Sequence, residues 1–281
     1  MANEKQKNYW TNQVGKKWMA MSDEMEQRFA GVSDAVMQQA GLKTGEAVID
    51  IGCGTGSTSL VAAQLVGLEG KVRGVDVSEV MLQAAKRLAT KSGVLNLDFM
   101  LADAQTDDFN LSANVFISRF GVMFFEDPIK AFSNFRKNAS PGARLAFAAW
   151  APLSKNEHWQ KPLELARRIV GDGIVRRPYA PSPLAFSDAD YVRSILVQSG
   201  WKNARVEEQC VDLIGDSFER EAEIACILGP SGALLEEKKA GESELKKAEE
   251  AFLKHLPNYA DVMPDGRVRL PATINMITAT I

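Results

Sequence analysis

Hydrophobic positions along the chain follow two different rhythms. From Asn3 to Ala40 breakers are few, and Trp18, Met21, Met25 and Phe29 recur at helical spacing, which predicts a helix that Gly41 ends. After it the apolar segments become short and continuous, bounded by glycines and polar turns, as strands buried on both faces are. They are Ala47–Ile51, Lys71–Val77, Asn96–Leu101, Asn114–Ser118 and Arg144–Trp150. Helical stretches separate them at about 57–66, at 79–91 and at 129–138. Ser78 stands where an N-cap belongs, Gly93 closes the second of these helices, and Pro141-Gly142 reads as a turn before the fifth strand. Strands alternating with helices of this length mean βαβ units and a parallel sheet, an α/β fold.

Beyond Trp150 the alternation stops. Residues 151–187 hold several prolines with Gly171 and Gly173 around one helix near 159–170, and read as an insertion over one sheet edge. A helix at Tyr191–Ser199, a strand at Arg205–Leu213, a charged helical run over 218–256 broken at Gly229-Pro230, and a β-branched strand from Val268 to Ile281 complete the chain.

Composition removes several function classes. Among 281 residues, Lys plus Arg number 33 and Asp plus Glu 36, a net charge of -3 that lacks the basic excess nucleic-acid binding requires. No stretch has the length of a membrane span, and the polar start has no apolar core of a secretory signal. Cys53, Cys210 and Cys226 are scattered, which matches no zinc spacing and suits a reducing cytoplasm.

The chemistry concentrates at the strand ends. Asp50-Ile51-Gly52-Cys53-Gly54-Thr55-Gly56 joins the first strand to its helix, where glycines let a ligand approach the backbone and the helix start offers free N–H donors. Ser57 replaces the last glycine of the dinucleotide pattern G-x-G-x-x-G. Asp50 is an acid inside an apolar strand, which is costly unless it is paired, and a cationic ligand would pair it. Asp76 ends the second strand, where an acid can take both hydroxyls of a ribose, and Asp103 follows the third, where it can accept from an adenine amino group. Each of these two aspartates, taken alone, reads equally well as a helix cap or loop carboxylate.

Residues 44–150 resemble the core of class I S-adenosylmethionine-dependent methyltransferases, in the small-molecule branch that includes the ubiquinone and menaquinone C-methyltransferases. The glycine motif at 50–56, Gly74-Val75-Asp76-Val77-Ser78, Ala102-Asp103-Ala104 and the segment from Phe116 to Trp150 carry the likeness. The resemblance implies a Rossmann-like seven-stranded sheet in the order 3-2-1-4-5-7-6, mostly parallel with an antiparallel last strand, and helices on both faces. It implies S-adenosyl-L-methionine as cofactor, S-adenosyl-L-homocysteine as product, and direct in-line transfer to a small-molecule acceptor without a metal. The cofactor residues it implies are Asp50, Gly52, Gly54, Gly56, Asp76, Val77, Met81, Asp103, Ala104, Arg119 and Trp18. The chain then divides into an N-terminal helical lid at 1–40, a cofactor core at 41–150, a substrate cap at 151–187, and a completion of the sheet at 188–281.

Two other function classes stand beside this one. An NAD-dependent oxidoreductase accommodates Asp76 equally well, while Ser57 and Asp50 weigh against it; a non-catalytic module that keeps the cofactor pocket is the third. Ser118-Arg119-Phe120-Gly121 lacks the Asn/Asp-Pro-Pro-aromatic motif of amino-directed DNA enzymes, and no Pro-Cys pair exists. His158 and Arg119 are the candidates for a catalytic side chain, with a surface position the competing account of His158. Tyr9, Trp10 and Trp18 read either as a lid over the cofactor or as helix packing, Met81 also as core filler, and the pairs Arg167-Arg168 and Arg176-Arg177 as holders of an acidic substrate or as solvated surface.

Overall fold

The computed structural model describes residues 4–11, 13–175 and 177–281; Asn3, Asn12 and Arg176 lie outside the described residues. The N-terminal region is four short helices and not one: α1 (Glu4–Thr11), α2 (Gln13–Ala20), α3 (Ser22–Arg28) and α4 (Ala30–Ala40). Two of the breaks fall at Met21 and Phe29, neither of them a glycine or proline, and both side chains are buried. The chain bends there to keep these side chains on the core, which periodicity alone does not reveal. Gly41 ends α4 in the left-handed conformation, at φ 53°.

The central units follow the predicted alternation: β1 (Ala47–Ile51), α5 (Ser57–Val66), β2 (Lys71–Asp76), α6 (Glu79–Ser92), β3 (Leu97–Leu101), β4 (Ala113–Arg119), α7 (Pro128–Lys137) and β5 (Ala139–Trp150). Pro141-Gly142 is not a turn before β5 but lies within it. Gly142 takes φ 75°, and the pairing with β4 slips between Ala113↔Ala139 and Val115↔Arg144 to absorb the extra residues. The remaining elements are α8 (Glu157–Val170), α9 (Ala189–Gln198), β6 (Lys202–Gly215), α10 (Phe218–Ile227), α11 (Gly229–Glu237), α12 (Glu242–His255), β7 (Asp261–Val262) and β8 (Val268–Thr280).

The sheet runs β3-β2-β1-β4-β5-β8-β6, with β8 antiparallel to both of its neighbours and the short β7 paired to it. This is the order implied by the resemblance, with β6 and β8 as its sixth and seventh strands. Strand order reverses at β1 and β4, so a crevice opens outside their carboxyl ends, where Ile51 and Arg119 stand.

The segment 151–187 lies over β8, inside the sheet, and not over an edge. Asn156 ties its start to β8 through Nδ2 to the Thr273 carbonyl at 3.0 Å and Oδ1 from the Thr273 N–H at 2.9 Å. Asn275, also on β8, donates from Nδ2 to the Phe186 and Ser187 carbonyls at 2.9 and 3.1 Å and ties its end. Its helix α8 packs on α11 and α12, so residues from both halves of the C-terminal region form one helical layer.

A buried ion pair locks that layer to the N-terminal helices. Arg28 of α3 and Glu221 of α10 are 6% and 3% exposed, and an Arg28 Nη1–H donates to Glu221 Oε1. Breaking such a pair strands one buried charge, whereas replacing both partners with apolar groups does not. Arg28→Met is therefore expected to cost about 3–5 kcal/mol in urea unfolding, and Arg28→Met/Glu221→Met to recover most of that loss. A double variant no more stable than the single one would show that the pair is not coupled.

Candidate functional site

β1 is buried along most of its length, and Asp50 in it is 0% exposed. Thr58 Oγ1 and Ser59 Oγ, both in the first turn of α5, donate to Asp50 Oδ2 at 2.6 Å each. Oδ1 has no hydrogen-bond partner. Burial pushes the Asp50 carboxyl up to about 6, against the pull of the two hydroxyls and of the Arg119 guanidinium. Half of this carboxylate is thus anchored to the fold and half waits for a donor.

The loop after β1 carries three left-handed glycines, Gly52 (φ 66°), Gly54 (φ 54°) and Gly56 (φ 86°), which do different work. A Cβ on Gly52 would meet the Gly121 Cα at 2.7 Å, so this glycine lets the loop touch the segment after β4. One on Gly56 would meet Ala85 Cβ at 2.8 Å and the Phe99 ring at 2.9 Å, which is packing against α6 and β3. Only Gly54 faces open space, with the Met81 Sδ at 3.9 Å the sole neighbour. Of these three glycines Gly54 alone is open, while Gly52 and Gly56 are packed against neighbouring backbone and side chains.

Asp76 holds that backbone in place. Its Oδ2 accepts the Gly54 N–H at 2.9 Å and its Oδ1 the Ser78 N–H at 2.8 Å; burial raises its pKa while these backbone donors lower it. Ser78 caps α6 by accepting from the Met81 N–H and donates its own hydroxyl to the Trp10 carbonyl at 3.2 Å. Val77 is half-buried between them, and Met81 is buried under Gly54. Asp103 makes the turn after β3: Oδ1 accepts the Gln105 N–H at 2.9 Å, and its own N–H donates to Asp107 Oδ2 at 2.9 Å. The Ala104 carbonyl accepts Asn134 Nδ2 at 3.1 Å, which fixes the same turn to α7.

Arg119 closes the site from β4. Its Nη2 donates to Glu26 Oε1 at 2.6 Å and to Ser57 Oγ at 3.4 Å, its Nη1 donates to Ser33 Oγ at 2.9 Å, and its guanidinium lies 5.9 Å from the centre of the Phe29 ring. Glu26, Phe29 and Ser33 are spaced i, i+3, i+7, a one-face pattern visible in the sequence but not assigned to the site by motif. Glu26 also accepts from Thr55 Oγ1 at 3.3 Å and from Ser57 Oγ. Trp18 stacks on Phe29 at 6.2 Å, and Trp10 meets Phe124 edge-on at 5.0 Å, so both stand over this end of the sheet. The Tyr9 side chain lies outside the described residues.

His158 is not on the surface. It is 5% exposed among Trp150 (5.6 Å) and Trp159 (5.5 Å), and burial, aided by the Arg28 charge, pushes its pKa down to about 3. A neutral, packed imidazole on the start of α8 serves the helical layer, since its aromatic neighbours outweigh the polar character that marked it in the sequence. Arg167 pairs with Asp172 and Arg177 with Glu126 at the surface. Among the described residues no grouping of three His, Cys, Asp or Glu can hold a metal ion, and no helix is long and apolar enough to cross a membrane.

A glycine loop pinned by one strand-end aspartate, a second, half-satisfied aspartate beneath it, and this sheet order coincide with a match of residues 42–179 to the family described as a methyltransferase domain. That match covers just under half of the chain. The match runs past β5 into α8 and the loop after it, further than the motifs at 50–150 reach. The aklanonic acid methyltransferase DauC of Streptomyces sp. strain C5 is 33% identical over 126 residues, 44% of this chain and 54% of that enzyme. The ubiquinone/menaquinone biosynthesis C-methyltransferase UbiE of Marinomonas sp. strain MWYL1 is 32% identical over 159 residues, 56% of this chain and 60% of that one. This chain thus spans little more than half the length of either enzyme. The crystal structure of Bacillus subtilis YcgJ superposes with TM-score 0.55 at 15% identity, covering 88% of this chain and 97% of that one. Phosphoethanolamine N-methyltransferase 2 of Haemonchus contortus, solved with phosphomonomethylethanolamine and S-adenosylhomocysteine, gives TM-score 0.52 at 18% identity, covering 88% of this chain and 52% of that one. At these identities the likeness to both structures is one of fold.

The state of Asp50 has a measurable cost. An acid whose pKa rises from 3.8 to about 6 on folding is penalised in its charged form, so the penalty is absent below pH about 4 and complete above pH about 6. Asp50→Asn is expected to stabilise the ligand-free protein by about 1–3 kcal/mol at pH 7.5 and by little at pH 4. Urea titrations at the two pH values check this, and equal effects at both would contradict the assignment of the buried charge.

Proposed function

We propose that this chain moves a methyl group from S-adenosyl-L-methionine to a small-molecule acceptor. The observation that carries the proposal is the unpartnered Oδ1 of the fully buried Asp50 at the head of a loop whose Gly54 is open. The residues fit that cofactor. Asp50 supplies an acceptor for a cationic group, and the space over Gly54 and Met81 receives the ligand against bare backbone. Each Asp76 oxygen keeps a lone pair after accepting one backbone N–H, which leaves two acceptors for ribose hydroxyls. Asp103 and Ala104 form the turn against which adenine would rest, and Trp18 belongs to the helices that cover the site.

The chemistry supplied by the bound cofactor is a methyl activated on a sulfonium, transferred directly and in line. The chain itself has then to orient the two partners and exclude water. Phe120 and Trp150 stack at 4.3 Å with ring planes 7° apart, and Trp159 adjoins Trp150 at 4.4 Å. Phe120 follows β4 and Trp159 lies on α8, both half-buried against the buried Trp150 that ends β5, and these two rings offer apolar surface to an organic acceptor. The segment 151–187, with α11 and α12, serves as the substrate cap, and α1 to α4 as the lid. No side chain is assigned as general base: His158 is packed among tryptophans. The formal charge of -3 supports a small acceptor over a nucleic acid, and the free Cys53, Cys210 and Cys226 support a cytoplasmic setting.

A thermal-shift panel tests the cofactor directly. S-adenosylhomocysteine is expected to raise the melting temperature and NAD or NADP to leave it unchanged, since only a ligand of the native state stabilises it. The reverse result would favour the oxidoreductase. Gly54→Val is expected to abolish the S-adenosylhomocysteine shift, with the ligand-free melting temperature lowered only by the strain of a β-branched residue at φ 54°, because the added side chain occupies ligand space and not core. Gly56→Val, which strikes Ala85 and Phe99, should instead destabilise the fold. A Gly54→Val protein that keeps its shift would place the ligand elsewhere.

A further inference from the structure

Apart from Asp50 and the N-terminal Gln6 and Thr11, the buried side-chain polar atoms without a hydrogen bond among the described residues belong to His158 and Tyr259. Both imidazole nitrogens and the Tyr259 hydroxyl are unpartnered. The Pro271 carbonyl draws on the imidazole but is out of line for a hydrogen bond. His158 stands at the start of α8, and Tyr259 follows the turn after α12. They gather about one buried ion pair, since the Arg28 charge acts on His158 and the charge of its partner Glu221 acts on Tyr259. Buried polar groups left unpaired are destabilising, so each of these three atoms calls for a partner that the chain itself does not supply.

The charges here are already balanced, and that defines the missing partner. Arg28 is matched by Glu221. Burial holds His158 neutral, with its pKa down at about 3, so one ring nitrogen carries a donor and the other an acceptor. Burial and the neighbouring Glu221 and Glu157 hold the Tyr259 phenol protonated, a donor and an acceptor in one group. A charged ligand would find no counter-ion among these groups, whereas a hydroxyl or a carbonyl would pair with them. Aromatic surface adjoins them: the imidazole lies 5.6 Å from the Trp150 ring centre and 5.5 Å from that of Trp159. Phe29 meets Trp150 at 6.0 Å, so the N-terminal helices, α8 and α10 converge at the end of β5. Phe120, stacked on the same Trp150, keeps φ 63°, a strained backbone for a bulky residue. Resting on the methyl-transfer reading above, we propose that His158 and Tyr259 bind the methyl acceptor, an uncharged organic molecule whose hydroxyl or carbonyl hydrogen-bonds to them while its apolar body lies against Trp159 and Phe120. They bind and orient it, and neither takes a proton from it.

The competing account is that enclosed water satisfies these atoms and they serve the fold alone. His158→Phe and Tyr259→Phe keep an aromatic ring at each position and remove the polar atoms. The probes are 2-naphthol and 1-tetralone, which are neutral, and 2-naphthoate, which is an anion at pH 7.5. By calorimetry on the full chain saturated with S-adenosylhomocysteine, the neutral probes are expected to bind about tenfold more tightly than 2-naphthoate. Each variant is expected to weaken 2-naphthol about fivefold, with a ligand-free melting temperature equal to the wild type's or higher and the S-adenosylhomocysteine shift retained. Because the chain has two histidines, nitrogen-15 spectra of histidine-labelled protein follow His158 directly, and 2-naphthol is expected to move its resonances and leave those of His255 in place. Variants that bind 2-naphthol as the wild type does, a preference for 2-naphthoate, or binding of none of the three probes overturns the proposal. Should a variant melt more than a few degrees lower, the wild-type spectrum decides, and His158 resonances unmoved by 2-naphthol overturn it. All these results concern this inference alone, whereas a wild-type protein that S-adenosylhomocysteine does not stabilise overturns the methyl-transfer reading and this inference with it.

Discussion

A carboxylate buried in the middle of a parallel sheet, with one oxygen tied to α5 and the other left unpaired, sets the terms for everything around it. Asp50 is tolerated because Thr58 and Ser59 offer it two short hydrogen bonds from the first turn of the helix that the glycine loop begins. Those bonds fix where α5 starts relative to β1, and so fix the path of the loop between them. Asp76 completes the constraint from the neighbouring strand by holding the Gly54 N–H. The two aspartates therefore do structural work first. Their remaining acceptor capacity is what the proposed cofactor would use.

The proposed lid and cap meet the same crevice from parts distant in sequence. Arg119 gathers Glu26, Phe29 and Ser33 from the N-terminal helices, and Arg28 of the same region joins Glu221 of α10. An aromatic run leads from Phe29, beside Arg119, through Phe120 and Trp150 to Trp159 on α8.

Much of this was legible in the sequence because it is local. Five short strands, the helix caps at Ser78 and Gly93, and the motif from Asp50 to Gly56 depend on neighbours a few residues apart, and residues 44–150 carry them at readable spacing. Even so, motif spacing treated Gly52, Gly54 and Gly56 alike, and only packing shows that Gly54 alone faces open space. The rest is tertiary. Nothing between Trp18 and Ala40 announces breaks at Met21 and Phe29, since the helix bends to serve a core built elsewhere. Glu26 sits in a sequence that reads as an ordinary charged helix, and its partners Thr55, Ser57 and Arg119 are 29 to 93 positions away. His158 misled for the converse reason: a histidine between polar and apolar residues gives no sign that two tryptophans will enclose it.

The central claim is that Asp50 is a buried acid held ready for the cation of its ligand. Binding a cation beside a carboxyl poised at about 6 must lower its pKa, so the protein has to release protons as the ligand enters. Calorimetric titration with S-adenosylhomocysteine in buffers of different ionisation enthalpy counts those protons. Release of about half a proton per site is expected near pH 6, falling toward zero above pH about 8, and absent in Asp50→Asn. Proton uptake, or binding at pH 6 with no proton exchanged, would contradict the claim.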